Sequence, residues 1–215
     1  MESIRAHQRA FLKALQAKTE PYIVKIRGIE LVVDPGVFPP TTDSRLLADY
    51  TIMSVGESVL DLTTGCGTIA VIAGLQGASG IAVDINPKAV ENAEKNFKRF
   101  RLPMIAMQSN LFSNVPREKF DLIVANGPYL EVEGEIVDPL EYAFYGAHRF
   151  VTSLFHAAPD YLKDNGGLLV PFAEWGELEF FEDTTRACHF SFKVLGKRTS
   201  DDGQRTYRLY ELRRK

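Results

Sequence analysis

Cysteine is scarce in this chain, with two in 215 residues, Cys66 and Cys188. Two distant thiols make no disulfide framework, and the four histidines are too scattered to complete a metal site, so neither a disulfide-stapled secreted domain nor a metalloprotein is expected. Charge of one sign is also in short supply: the formal net charge is −3 and the pI near 5.9, which gives no global attraction to phosphate and argues against nucleic acid as the main partner. No stretch approaches the ~20 apolar residues that a membrane span requires. The N-terminus has no apolar signal core, and there is neither an internal repeat nor a low-complexity tract. These absences predict a cytoplasmic protein with no membrane attachment.

What is present is enough hydrophobic sequence, 45 % of residues, to build one core in a chain of this length. Its C-terminal segment is locally basic, with Lys193, Lys197, Arg198, Arg205, Arg208, Arg213, Arg214 and Lys215. Such a run is read as the solvated face of a terminal hairpin, with contact to an anionic partner as the alternative.

Residues Glu2 to Ala17 place Ile4, His7, Phe11, Ala14 and Leu15 at helical spacing, predicting an amphipathic helix that packs on the domain or covers a site. Tyr22–Ile26 and Ile29–Val33 alternate around Arg27-Gly28 and predict a hairpin. From Ser58 onward strands and helices alternate. Strands are expected at Val59–Leu62, Gly80–Asp84, Met104–Gln108, Phe120–Ala125 and Leu168–Phe172. Helices are expected at Thr68–Leu75, Pro87–Phe100 with Asn86 as cap, His148–Leu162 and Glu174–Arg186. A closing pair of strands, Phe190–Leu195 and Thr206–Leu212, turns through Asp201-Asp202-Gly203. This alternation demands an α/β fold: a doubly wound, seven-stranded, mostly parallel sheet with one antiparallel strand at or near an edge. Residues 1–57 are expected to form an N-terminal helix, hairpin and covering segment, and 58–215 the core.

The turn Asp61-Leu62-Thr63-Thr64-Gly65-Cys66-Gly67 leaves the first core strand and opens a helix, where an open α/β sheet binds its ligand. Roughly twenty residues on, Asp84 ends the next strand, placed to accept hydrogen bonds from both hydroxyls of a ribose. A pyrophosphate-binding turn wants a third glycine, and here Thr68-Ile69-Ala70 follows Gly67. Asp61 would repel a pyrophosphate but would favour the cationic amino group of a methionyl ligand. S-adenosyl-methionine is therefore preferred to a dinucleotide. Asn110 and Leu111 then fall near the adenine, with Ile85 flanking the ring.

At the other end stands Asn126-Gly127-Pro128-Tyr129, closing the apolar run from Phe120. The Asn126 side-chain oxygen and the Gly127 carbonyl can each accept a hydrogen from a planar NH₂ group, and Tyr129 can stack on its plane. A methyl acceptor of this kind needs alignment more than a strong base, and no base is evident nearby.

The segments DLTTGCG, AVDINPKAVENAEKN, QSNLF and FDLIVANGPY together resemble the class I S-adenosyl-methionine-dependent methyltransferases, and more narrowly the short branch of the HemK-like glutamine methyltransferases and their small-domain relatives that methylate exocyclic amines of nucleobases. The similarity runs from about residue 30 to 213. It takes in Gly36 to Leu47 upstream and Ala143 to Phe150 downstream. The resemblance implies a Rossmann-like class I core and S-adenosyl-methionine as cofactor. The cofactor would be held by Pro40, Asp43, Asp61, Thr63, Gly65, Cys66, Gly67, Asp84, Ile85, Asn110, Leu111 and Asn126. Asn126, Pro128 and Tyr129 would orient the acceptor, a protein or peptide amide or a small molecule, and no metal is implied. Departures are NGPY for the usual NPPY, Thr42-Asp43 for an acidic pair, Thr63 for a glycine and Asn110 for an acid. Gly127 is expected to free the loop. A small activator protein, seated on the apolar strand Met104–Met107, or a homodimer would fit the branch. Readings left open are a nucleobase amine as acceptor, a non-catalytic subunit of the same fold, and an NAD-dependent oxidoreductase, which lacks an evident proton donor here.

Overall fold

The computed structural model describes residues 2–131, 136 and 138–215. Its frame is a seven-stranded sheet built from β3 (Ser58–Asp61), β4 (Ser79–Asp84), β5 (Met104–Gln108), β6 (Phe120–Val124), β7 (Leu162–Ala173), β8 (Phe190–Thr199) and β9 (Thr206–Arg214). The spatial order is β5-β4-β3-β6-β7-β9-β8. The pairs from β5 through β7 are parallel, and β9 runs antiparallel between β7 and β8. The chain leaves β3 outward to β4 and β5, then returns to β6 on the other side of β3. That reversal opens a crevice at the carboxyl ends of β3 and β6. Val59, Leu60 and Asp61 are all buried, as expected of a central parallel strand covered on both faces.

Helices α3 (Thr68–Leu75), α4 (Pro87–Phe100), α5 (Ala147–Tyr161) and α6 (Leu178–Ala187) cover the sheet. The Asn86 side chain accepts from the Lys88 N–H at 3.1 Å and Pro87 opens α4, the capping read from the sequence. Helix α3 is buried over Thr68–Gly74, so apolar residues surround it instead of forming a stripe.

The N-terminal helix α1 (Glu2–Gln16) and the hairpin β1 (Tyr22–Ile26) and β2 (Ile29–Val33) stand where they were expected. The hairpin is fastened by two buried amides of α4. Asn92 accepts from the Asp34 N–H and donates to the Val32 carbonyl, both at 2.9 Å. Asn96 also donates to Val32, at 2.9 Å, and to the Cys66 carbonyl in the glycine turn at 2.8 Å. Fully buried amides are tolerated because their donors and acceptors are paired.

Several boundaries differ from expectation, for physical reasons. Helix α2 (Thr42–Tyr50) was not expected as a helix; its start is fixed by the Ser44 hydroxyl accepting from the Thr41 N–H at 3.3 Å and by Asp43 in its first turn. A 3₁₀ turn, Pro139–Ala143, capped by Asp138, was likewise not expected. The helix expected from Glu174 begins only at Leu178. Gly176 there lies under the Tyr129 main chain, where a Cβ would come within 2.4 Å of the Tyr129 carbonyl, and the Glu177 N–H donates to that carbonyl at 2.8 Å. Strand β7 starts earlier than expected, with a register shift against β6 between its pairings at Leu162 and Gly167.

The basic C-terminal segment is mostly neutralised within the fold. Lys193 and Arg213 pair with Glu211, Lys197 and Arg208 with Glu174, Arg198 with Asp49, and Arg205 with Asp202. A solvated, internally paired face accounts for it.

Candidate functional site

A cavity of about 470 Å³ opens at the switch point, large enough for a ligand of drug size. Its cofactor end joins buried carboxylates to the main chain of the glycine turn. The Asp84 carboxylate accepts from the Gly65 N–H and the Asn86 N–H, both at 2.9 Å, so the acid and the glycine turn hold each other. Burial pushes the Asp84 pKa up, with the two N–H donors pulling the other way. Each oxygen keeps a lone pair for a diol. Gly65 has φ 54°, and a Cβ there would lie 3.2 Å from the Phe38 carbonyl. Asp61 accepts from the Thr64 hydroxyl at 2.9 Å, and burial lifts its carboxyl from an ordinary 3.8 to about 7. An acid whose neutral form is favoured by burial suits a cationic ammonium, which would draw it to the charged form. On the third strand end, Gln108 donates to the Ile85 carbonyl at 3.1 Å, tying the Asn110-Leu111 loop to its neighbour. Acid, close-approach backbone and flanking apolar side chains fit a nucleoside with a charged amino-acid arm.

The acceptor end is made of side chains. Asn126 follows β6; its N–H donates to the Thr63 hydroxyl at 2.8 Å and its side-chain amide donates to Ser44 at 3.1 Å. The Tyr129 hydroxyl stands 2.6 Å from Asn126 Oδ1 and 2.7 Å from Asp43 Oδ2. Burial raises the Tyr129 pKa, with Asp43 adding to the rise, so the phenol keeps its proton. One proton cannot satisfy two acceptors. The carboxylate makes the stronger, charge-assisted bond, which leaves Asn126 Oδ1 in need of an N–H.

Two expectations about the tetrapeptide are corrected. Tyr129 is only 5 % exposed, and its ring is enclosed by Phe172, Trp175 and Tyr207 at centroid distances of 5.2–5.8 Å. It therefore orients Asn126 and has no face left for stacking on an acceptor. Gly127 does not free the loop. The Phe150 ring lies against it, and a Cβ would sit 2.2–2.4 Å from three ring carbons. The aromatic side chain fills the room that a proline ring would take.

Of the residues proposed from sequence, Pro40, Asp43, Asp61, Thr63, Gly65, Cys66, Asp84, Ile85, Asn110, Leu111, Asn126, Pro128 and Tyr129 all line this cavity. Cys66 is 1 % exposed, with its thiol against Thr68 and pushed up to about 11 by burial, so it can offer a ligand only its main chain. Gly67 is the exception. It caps α3 at φ 88°, and a Cβ would strike Phe97 at 2.9 Å, so its need is packing between turn and α4. Sequence reasoning did not reach Gln8, Ser44, Phe150, Arg205 or Tyr207, which line the cavity from distant elements. For Ser44 a signal existed, its place three residues after Thr41 at a helix start. Trp175, Phe38 and Tyr145 also line it.

A sheet with this reversal and a carboxylate-anchored glycine turn at its switch point defines the class I methyltransferase architecture. A family model described as the methyltransferase small domain matches residues 28–179, and the chain belongs to that family. A candidate protein N5-glutamine methyltransferase of Methanocaldococcus jannaschii is 37 % identical over 150 residues, covering 67 % of this chain and 76 % of its own. A release factor glutamine methyltransferase of Geobacter sulfurreducens is 31 % identical over 178 residues, 74 % of this chain; the chain spans 63 % of that longer protein. Among solved structures, a methyltransferase from Pyrococcus furiosus superposes with a TM-score of 0.67 at 20 % identity, covering 99 % of this chain and all of the other, a likeness of fold. The expectation of a methyltransferase that uses S-adenosyl-methionine stands, and the oxidoreductase reading falls. Among the described residues, no helix is long and apolar enough to cross a membrane.

Proposed function

We propose that this chain methylates the side-chain amide nitrogen of a glutamine presented by a protein. The carrying observation is the Asp43–Tyr129–Asn126 array beside the cofactor end, which leaves the Asn126 side-chain oxygen in need of an N–H. The names of the two relatives, both glutamine methyltransferases, support the same acceptor. S-adenosyl-methionine, when bound, supplies an electrophilic methyl group on a sulfonium. Everything else asked of the protein is position and electrostatics. Asn126 Oδ1 and the Gly127 carbonyl hold the two amide hydrogens and fix the plane of the NH₂ group. Tyr129, held by Asp43, and Ser44 fix Asn126, while Phe150 fixes Gly127. Asp84 and Asp61 hold the ribose and ammonium ends of the cofactor, with Pro40, Thr63, Ile85, Asn110 and Leu111 along its length.

Residues 1–57 are taken as the covering segment over a 58–215 core, in a cytoplasmic setting. An accessory protein would find an open strand edge at β5, where Ile105 is 62 % exposed. The test is incubation with labelled S-adenosyl-methionine and glutamine-bearing translation proteins, with the modified residue located by mass spectrometry. Methyl on glutamine supports the proposal; methyl on a nucleobase or on arginine overturns it.

A further inference from the structure

Helix α1 roofs the acceptor end. Phe11 packs on Phe38 and Phe144 at 5.6 and 6.4 Å, and Arg5 donates to the Glu131 carbonyl at 3.3 Å. Under that roof, three buried polar atoms of the cavity wall have no hydrogen-bond partner among the described residues: Gln8 Oε1, Trp175 Nε1 and Arg205 Nε. Gln8 is only 4 % exposed. An unmade hydrogen bond at a buried atom costs about 1–3 kcal/mol, and three of them on one cavity are a set that a ligand can satisfy. Their chemistry is complementary, with one acceptor and two donors.

Arg205 is paired with Asp202 at 2.9 Å, and burial, then Arg205, lowers the pKa of neighbouring His7, which favours its neutral form. A dipolar group suits such a wall better than a free carboxylate. The wall also adjoins the target position, because the Trp175 indole packs edge-on against the Tyr129 ring at 5.8 Å.

We propose that Gln8, Trp175 and Arg205 form a peptide main-chain subsite. Gln8 Oε1 accepts an N–H of the acceptor's backbone, and Trp175 Nε1–H and Arg205 Nε–H donate to one of its carbonyls. The subsite holds the backbone while the side chain reaches Asn126. This deepens the glutamine reading above and rests on it.

Trp175 is the only tryptophan, so its emission reports occupancy without turnover. The probes are a tripeptide with central glutamine, blocked at both ends, and free glutamine. The blocked peptide is expected to shift Trp175 emission and to accept methyl, and free glutamine to do neither at equal concentration. Gln8→Leu and Trp175→Phe should each raise KM for the peptide about tenfold, the worth of one hydrogen bond. Both should leave kcat within about threefold and S-adenosyl-methionine affinity by calorimetry unchanged, which also shows that the variants fold. Unchanged KM in both variants overturns the subsite, as does free glutamine serving equally well. An emission shift without methyl transfer keeps the subsite and overturns the glutamine reading. No shift and no transfer, with cofactor still bound, overturns both.

Discussion

The two ends of the cavity are built by different means. The cofactor end draws on three consecutive strand ends, at Asp61, Asp84 and Gln108, and on backbone that follows each within a few residues. At the acceptor end, Asp43 and Asn126 stand 83 positions apart, and Gln8 and Arg205 come from opposite ends of the chain. The second end is a set of contacts in which each side chain depends on its neighbours. A protein built this way can keep one cofactor and change its acceptor, because the two ends answer to separate parts of the sequence.

The largest way to break this comparison is Asn126→Ala. Loss of the positioned carbonyl should lower kcat about 10²–10³-fold with S-adenosyl-methionine affinity nearly unchanged, measured by single-turnover transfer and calorimetry. A parallel loss of cofactor binding would show that the ends are not independent. The mirror experiment is Asp84→Ala, expected to weaken cofactor binding about 10–100-fold by removing hydrogen bonds to a charged group.

Next is Asp61→Asn. Its carboxyl is raised in the folded state, so the native protein favours the protonated form. The stability that this gives is fully present below pH 3.8 and is lost as pH rises to about 7. The ligand-free variant should therefore be more stable than the parent at pH 8, by at most about 4 kcal/mol, and no more stable near pH 3.5. Thermal melts at the two pH values check the sign. The same variant should bind S-adenosyl-methionine more weakly at pH 8.

A smaller effect is expected of Gly127→Ala, which drives a Cβ into the Phe150 ring and should cost about 1–3 kcal/mol in denaturant unfolding. Phe150→Ala in the same chain should relieve part of that cost, so the two changes should be non-additive. Least of all, Lys95→Ala removes an ion pair with Asp34 whose lysine is 62 % exposed, worth about 0.2–1 kcal/mol and remote from both ends.

The cofactor end was legible in the sequence because its signals are local. A glycine turn, an acid roughly twenty residues on and a capped helix can be read within one βαβ unit. Strands β1, β2 and β5 and helices α3 and α4 were placed residue for residue for the same reason. Where local preference met a tertiary contact, the contact prevailed: Gly176 beneath Tyr129 postponed α6. Helix α2 was hidden because it is short and begins inside a proline-containing segment whose residues were taken as a binding motif. Asn92 and Asn96, which look like polar positions on an amphipathic helix, are buried rivets between α4, the hairpin and the glycine turn.

By itself, the sequence determined the alternation that forces a doubly wound sheet, the glycine turn after the first core strand and the place of Asn126 at the end of the fourth. Only the tertiary structure decided that Tyr129 serves Asn126 and not the acceptor, that Phe150 occupies the space beside Gly127, and that Gln8 of the first helix meets Trp175 and Arg205 across one cavity. Hydrophobic period and turn chemistry act over a few residues and can be read along the chain. Steric exclusion, burial and the satisfaction of a hydrogen bond act between side chains that the sheet brings together, and no spacing along the chain records them.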